Sequence, residues 1–167
     1  MTLHISEVHL QAIEMYAEAH YPEEGAGLIL GDEAGERREA REILPLPNRR
    51  EASERGHRYE IDPLETLAAE DQANALGLKI IGVFHSHPDH PAAPSQTDLH
   101  FAVPWYSYLI TSVRSGRAHE SRAWRLNESE AGMQEEQLEV RPVSERLAGA
   151  PGTSVASGGN GARQEEG

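Results

Sequence analysis

The residues best suited to metal binding or catalysis lie between positions 82 and 101, where four histidines and two aspartates follow an apolar run. That run, "LKIIGVF", is rich in β-branched residues and predicts a buried strand in the middle of a sheet. His85 and His87 stand two positions apart at its end, so both imidazoles of an extended chain point to the same face. Pro88 then ends the strand. The two histidines are therefore predicted to converge on one point.

Asp98 supplies the third candidate ligand. Ten residues separate it from His87, and the prolines among them limit the entropy cost of bringing Asp98 back to the histidines. Two imidazoles and one carboxylate, with a fourth position left for water, are typical of catalytic zinc sites. The chain has no cysteine, which excludes thiolate ligands, disulfides and a cysteine nucleophile. The pattern predicts a zinc ion held by His85, His87 and Asp98.

Each part of this pattern also has an ordinary structural explanation. Two histidines on one strand need not bind metal, and Ser95 with Asp98 forms an S-x-x-D pattern that caps many helices. Two further histidines lie outside the pattern. His90 is expected on an exposed loop, where it contacts solvent or substrate, and the helix turns His100 away from Asp98. Only the combination of H-x-H-P, the ten-residue gap and S-x-x-D favours a metal site.

The same residues resemble the signature of the JAMM metallopeptidases, also called MPN-plus or Mov34/PAD-1 proteins. Their motif is H-x-H-x10-D with S-x-x-D inside it, and this chain has "HSHP" at 85–88 and "SQTD" at 95–98. The family also places a glutamate before a short G-x-L-x-G strand. In "YPEEGAGLILG" the matching residue is Glu24, with Glu23 as the alternative. The resemblance extends over residues 5–126 and is greatest to the small bacterial members.

This resemblance implies a zinc-dependent peptidase or isopeptidase that hydrolyses an amide bond at the C-terminal tail of a ubiquitin-like protein. Small bacterial members act on sulfur-carrier proteins that end in Gly-Gly, so such a carrier is the expected partner. Glu24 is then the general base, and Ser95 donates a hydrogen bond to the developing oxyanion. Ser86 is expected on the opposite face of the strand, with a structural role.

Three other functions remain open on the sequence alone. The RadC proteins, which are linked by name to DNA repair, share H-x-H-P and S-x-x-D. A non-catalytic MPN scaffold usually lacks some motif residues, and none is missing from this chain. A site that only stores or senses metal is the third alternative. The discriminating features are a water-accessible fourth position and a carboxylate beside it, which favour hydrolysis.

Length and composition restrict the possibilities further. With 167 residues the chain is long enough for one domain with a true hydrophobic core. Its formal charge of −13 makes nucleic acid and anionic membranes poor partners. The first residues lack the basic start and apolar stretch of a signal peptide, and no window approaches the roughly 18 apolar residues that span a bilayer. A cytoplasmic protein is expected.

The pattern of predicted strands and helices indicates an α/β domain of the α+β kind. Its single mixed, largely antiparallel β-sheet is flanked by helices, the cytidine-deaminase-like architecture that the JAMM resemblance implies. Residues 1–146 are expected to form this domain and residues 147–167 a disordered tail. The predicted strands and the hairpin lie at 25–31, 28–44, 57–61, 78–84, 106–113, 119–126 and 134–143.

Three helices complete the prediction. The first covers residues 6–20 with Ser6 as its cap, and a short one begins after Ser95. The second begins after Asp62, which acts as the cap, with Pro63 in the first position and Glu65 completing a capping box. The inner face of this second helix is expected to consist of four apolar residues, Leu64, Leu67, Ala68 and Ala75.

Overall fold

Seven β-strands and three α-helices make up the described part of the chain. The computed structural model describes residues 1–127, 129 and 132–142, so the predicted tail at 147–167 lies outside the described residues. The elements are β1 Thr2–Ser6, α1 Glu7–His20, β2 Ala26–Ala34, β3 Arg37–Leu46, α2 Pro63–Ala75, β4 Lys79–Pro88, α3 Gln96–Phe101, β5 Ser107–Arg114, β6 Arg117–Leu126 and β7 Met133–Arg141.

The strands form one mixed sheet in the order β1-β3-β2-β4-β5-β6-β7, and β1 pairs with β7 to close it into a barrel. Four of the seven pairings are antiparallel, which confirms the predicted sheet type. The closure was not predicted, because β1 is only five residues long and continues directly into α1. Its partners β3 and β7 are distant in sequence, so no local pattern reveals the pairing.

Strand β4 occupies the central position expected for its apolar sequence, between β2 and β5. Alternate residues of β4 face two different parts of the core. Phe84 packs into the cluster that includes Ile13 of α1, and Val83 packs into the cluster that includes Ala69 of α2. His85 has the same parity as Val83, so the alternation directs its side chain to the α2 side of the sheet.

Helix α1 begins after Ser6, whose side chain accepts a hydrogen bond from the His9 amide, as predicted. Helix α2 is capped by Asp62 as predicted, but its expected inner face is wrong. Leu64 and Leu67 are 73% and 55% exposed, whereas Ala69 and Ala73 are buried. The two alanines lie one turn apart and bring α2 close to the sheet, so the leucines are turned outward. No helix in the described part of the chain is long and apolar enough to cross a bilayer.

The predicted strand at 57–61 is also wrong, because these residues form part of an irregular connection between β3 and α2. The side chain of Asn48 organises this connection through hydrogen bonds to main-chain groups. Glu65, which was expected to complete a capping box, forms an ion pair with Arg49 of the same connection. The connection, residues 47–62, packs beside the end of β4 and is called the 47–62 loop below.

Candidate active site

The end of β4 brings the two predicted histidine ligands together. Both side chains are buried, and the Nε2 atoms of His85 and His87 are 3.1 Å apart. The strand positions them because residues two apart share a face and because β2 and β5 hold this end of β4 from both sides. The prediction that the two imidazoles converge is therefore confirmed.

Asp98 reaches the same point from the first turn of α3. Its Oδ1 lies 3.1 Å from Nε2 of His85, and its Oδ2 lies 3.4 Å from Nε2 of His87. The capping box also forms, since Ser95 Oγ accepts from the Asp98 amide at 3.1 Å and Asp98 Oδ2 accepts from the Ser95 amide at 2.6 Å. Asp98 can therefore belong to the helix cap and act as a candidate metal ligand at the same time, because the cap orients its carboxylate toward the histidines.

This donor set fits a tetrahedral divalent cation. Donors about 2.0–2.1 Å from such an ion lie about 3.3 Å from one another. The two Nε2 atoms are 3.1 Å apart, and the nearest Asp98 oxygen lies 3.1 Å from Nε2 of His85 (Oδ1) and 3.4 Å from Nε2 of His87 (Oδ2), close to that spacing. Among the residues that the structure describes, His85, His87 and Asp98 are the one group of three or more histidine and acidic side chains close enough to share a metal ion.

Hydrogen bonding and ring contacts orient the two imidazoles differently. Nδ1 of His87 lies 3.0 Å from the carbonyl of Pro91, to which its N–H donates, so Nε2 faces the cluster. Nδ1 of His85 is buried and has no hydrogen-bond partner among the described residues. Its ring instead stacks on Tyr59, with ring centroids 4.6 Å apart and planes inclined by 31°.

The electrostatics of the cluster suit a metal ligand set. Burial lowers the pKa of His85 and so favours the neutral imidazole that a metal requires. Burial alone would raise the pKa of Asp98, but hydrogen bonds with His85 and His87 outweigh it and hold that pKa well below its ordinary range. Asp98 is therefore ionised at neutral pH, as a carboxylate ligand must be.

Glu24, and not the alternative Glu23, lies beside this cluster. Glu24 is only 5% exposed and borders the same cavities as Asp98 and Ser95, whereas the side chain of Glu23 is 42% exposed and faces Arg55. Burial raises the pKa of Glu24 to about 8, an effect that His87 reduces and Asp98 increases. The carboxyl group is thus held in a desolvated position next to the candidate ligands.

Ser86 fixes the position of Glu24 from the opposite face of β4. Its Oγ accepts a hydrogen bond from the Gly25 amide at 2.9 Å, and its own amide donates to the Gly25 carbonyl at 2.9 Å. The main chain of Glu24 is held further by two groups of the 47–62 loop, the Arg55 carbonyl at 2.7 Å and the Asn48 side chain at 3.0 Å. The structural role predicted for Ser86 is thus the attachment of the glutamate segment to the histidine strand.

Two cavities meet at the cluster. The larger, ≈630 Å³, is bordered by Glu24, Asp98 and several aromatic residues, including Tyr59 and Phe101. The smaller, ≈290 Å³, is bordered by Glu24, His87 and Ser95. His57 borders both cavities and His90 the smaller one, and both are exposed. His100 is exposed, with its ring against Phe101, so it lies outside the cluster as expected.

Sequence reasoning missed three residues of this region, namely Asn48, His57 and Tyr59. All three belong to the 47–62 loop, which the sequence presents as a polar stretch followed by an apparent short strand. The one available signal was the overall resemblance to small bacterial JAMM proteins over residues 5–126, which assigns no role to any of the three.

Comparison with known proteins identifies the family. The family model for prokaryotic homologs of the JAB domain matches residues 6–127. A probable TtuB-protein conjugate cleaving protease from Thermus thermophilus is 36% identical over 97 residues, 56% of this chain and 61% of that protein, so the chain spans less than two thirds of its length. A desampylase from Haloferax volcanii is 37% identical over 102 residues, 59% of this chain and 70% of that protein.

A CysO-cysteine peptidase from Mycobacterium tuberculosis is 29% identical over 118 residues, 70% of this chain and 77% of that protein. Among solved structures, one from Desulfitobacterium hafniense has a TM-score of 0.74 and 26% identity, covering 87% of this chain and 97% of that one. One from Salinibacter ruber has a TM-score of 0.64 and 36% identity, covering 84% and 92%. A JAB1/MPN domain protein from Archaeoglobus fulgidus has a TM-score of 0.52 and 22% identity, covering 81% of this chain and 96% of that one. At this identity the likeness supports the fold alone.

The family match includes every residue of the candidate site, from Glu24 to Asp98. The sequence motif and the arrangement of the strands agree with this match. The chain therefore belongs to the family of prokaryotic homologs of the JAB domain.

Proposed function

We propose that this protein is a zinc-dependent peptidase or isopeptidase that hydrolyses an amide bond at the C-terminal tail of a ubiquitin-like or sulfur-carrier protein. The observation that carries the proposal is the convergence of His85, His87 and Asp98 beside the buried carboxyl of Glu24. Three ligands from the protein leave one position of a tetrahedral ion for water, which is the arrangement of catalytic rather than structural zinc sites.

Zinc is the preferred ion because of the donor set. Two imidazole nitrogens and one carboxylate oxygen suit zinc, whereas magnesium and calcium prefer oxygen ligands throughout. The burial of the cluster supports tight binding, since a dry site strengthens the attraction between the carboxylate and the cation. When bound, zinc would lower the pKa of a coordinated water from about 16 to about 7 and so supply a nucleophile near neutral pH.

Glu24 is proposed to move the proton in this reaction. Its carboxyl accepts a proton from the attacking water and returns it to the leaving amine. Its position supports this role, since it borders both cavities and is held through its main chain and through Gly25. Burial raises its pKa to about 8 without metal, and a bound cation would lower that pKa and so favour the ionised carboxylate that accepts the proton.

Ser95 is proposed to stabilise the oxyanion. Its Oγ already accepts a hydrogen bond from the Asp98 amide, which leaves the hydroxyl hydrogen available for a second partner. Ser95 borders the smaller cavity next to His87, so this hydrogen can be donated to the oxygen of a carbonyl under attack. A single donor of this kind typically contributes a factor of about 10²–10³ in rate.

A protein tail fits the surroundings better than a small metabolite. Glu24 borders both cavities, which together provide space for the chain around a scissile bond. Four large apolar residues on α2 and around the end of α3 are more than half exposed, namely Leu64, Leu67, Phe101 and Trp105. Exposed apolar surface next to a cleft is characteristic of protein-binding sites. The names of the relatives, which refer to TtuB conjugates and CysO-cysteine, support a carrier-protein substrate.

Intact mass measurement of a carrier substrate tests the proposal. The purified protein is incubated with the carrier CysO extended by a C-terminal cysteine, and with other Gly-Gly carriers bearing short extensions. The expected result is loss of the residues that follow Gly-Gly, which a chelator abolishes and added zinc restores. Cleavage that persists in chelator would remove the metal from the mechanism, and intact substrates in the presence of zinc would contradict the substrate class.

A further inference from the structure

The two candidate histidine ligands differ in what fixes their orientation. Imidazole ligands usually donate their second N–H to a carbonyl or carboxylate, which sets the ring angle and strengthens the ligand. His87 follows this rule through the Pro91 carbonyl at 3.0 Å. His85 does not, because its buried Nδ1 has no hydrogen-bond partner among the described residues. The Nδ1 side of the His85 ring is therefore held by a contact other than a hydrogen bond.

That contact is the ring of Tyr59. Its centroid lies 4.6 Å from that of His85, with the planes inclined by 31°, so the two rings lie against each other in a tilted arrangement. Tyr59 comes from the 47–62 loop, which crosses over the end of β4, and it borders the larger cavity beside Asp98. The stacked ring blocks rotation of the imidazole away from the direction of Asp98.

Asn48 holds Tyr59 in this place. Its Nδ2 donates to the carbonyls of Arg58 and Glu24, each at 3.0 Å, and its Oδ1 accepts from the amides of Arg50 and Glu60 at 3.1 and 3.2 Å. These bonds use both donors and both lone pairs of the side-chain amide. Arg58 and Glu60 are the neighbours of Tyr59, so one side chain fixes the backbone on both sides of the stacking ring and also fixes Glu24.

We propose that Tyr59 is a positioning residue that sets the imidazole of His85 by stacking, in place of a hydrogen bond, and that Asn48 positions Tyr59 and Glu24 together. This inference rests on the proposed metal site but not on the proposed substrate. It predicts that metal affinity depends on the aromatic ring at position 59 and not on its hydroxyl. Removing a group that contacts a metal ligand typically weakens metal affinity by about 10–100-fold, and we expect the same range when the Tyr59 ring is removed.

The test uses the full chain, stripped of metal and titrated with zinc in competition with a chelator and with cobalt followed by its visible spectrum. Tyr59→Phe is expected to bind both ions as the unchanged protein does. Tyr59→Leu and Asn48→Asp are expected to weaken binding by about 10–100-fold and to alter the cobalt spectrum, which reports coordination geometry. Arg49→Ala, an exposed change in the same loop, serves as the matched control and is expected to change neither.

Thermal unfolding of each metal-free variant separates positioning from loss of fold. If Tyr59→Leu unfolds, the comparison of Tyr59→Phe with Asn48→Asp still decides the question, because both keep the size of the original side chain. Unchanged affinity and spectrum in folded Tyr59→Leu or in Asn48→Asp would overturn the proposal, as would a loss in Tyr59→Phe equal to theirs. A failure of the unchanged protein to bind either ion would instead refute the metal site itself and the proposed function with it.

Discussion

Replacing Glu24 by glutamine isolates the proton-transfer role, since the change removes the ionisable group but preserves size. The contacts that hold residue 24 are made by its main chain, with the Arg55 carbonyl and the Asn48 side chain, so they survive the substitution. The candidate ligands His85, His87 and Asp98 are untouched. The variant is therefore expected to fold, to bind metal as the unchanged protein does, and to lose turnover.

The size of the loss follows from the role assigned to the carboxyl. A positioned general base typically contributes a factor of about 10²–10⁴, which corresponds to about 3–5 kcal/mol of transition-state stabilisation. Glu24 is almost completely buried, so bulk water cannot readily take its place beside the reacting atoms. We therefore expect kcat to fall by at least about 100-fold while the metal content remains the same.

Glu23→Gln provides a matched control, because it is the same substitution in the adjacent residue, whose side chain is 42% exposed and faces Arg55. Both variants are assayed by intact mass on the extended carrier, and their metal content is measured by elemental analysis. Normal cleavage by Glu24→Gln would refute the assignment of the base. A comparable loss in Glu23→Gln would show that the wrong glutamate was selected.

Three further predictions concern the same site. His87→Ala should weaken zinc affinity by more than about 100-fold, which exceeds the effect of losing a group that only contacts a metal ligand. His100→Ala should leave zinc affinity unchanged. Elemental analysis and chelator competition measure both variants. Ser95→Gly should lower kcat by a factor of about 10²–10³. It should lower the free energy of unfolding by only about a few tenths of a kcal/mol, because glycine is tolerated at the N-cap position. A large fall in melting temperature would contradict this expectation. Burial raises the pKa of Glu24 to about 8, so the native metal-free protein binds this proton more tightly than the unfolded chain does. Its stability should therefore fall from about pH 4.5 to about pH 8, by up to about 5 kcal/mol, and denaturant unfolding of Glu24→Gln should lack this fall.

The sequence predicted the parts of the site that depend on local geometry. The two-residue repeat of a strand is enough to align His85 with His87 and to direct Ser86 to the other face. The S-x-x-D pattern is enough to place Asp98 in the first turn of a capped helix. The return of Asp98 to the histidines was predicted from the restricted loop, and the separations of 3.1 and 3.4 Å agree with it.

The features that escaped prediction depend on contacts between distant segments. β1 forms through parallel pairing with β3 and β7, and the sequence pattern of a five-residue strand is too short to predict this pairing. The predicted inner face of α2, formed by Leu64, Leu67, Ala68 and Ala75, is exposed, because the close approach of the helix to the sheet selects Ala69 and Ala73 instead. Tyr59 was assigned to a strand because Tyr59 and Ile61 alternate with charged residues, but the hydrogen bonds of Asn48 hold it in a loop.

A crystal structure of the zinc-loaded protein, with anomalous data collected at the zinc absorption edge, would show which side chains bind the metal. We expect one strong anomalous peak within bonding distance of Nε2 of His85, Nε2 of His87 and a carboxylate oxygen of Asp98. The carboxyl of Glu24 should lie next to the remaining coordination position without binding the ion. An anomalous peak at other residues, or a Glu24 side chain directed away from the ion, would contradict this prediction.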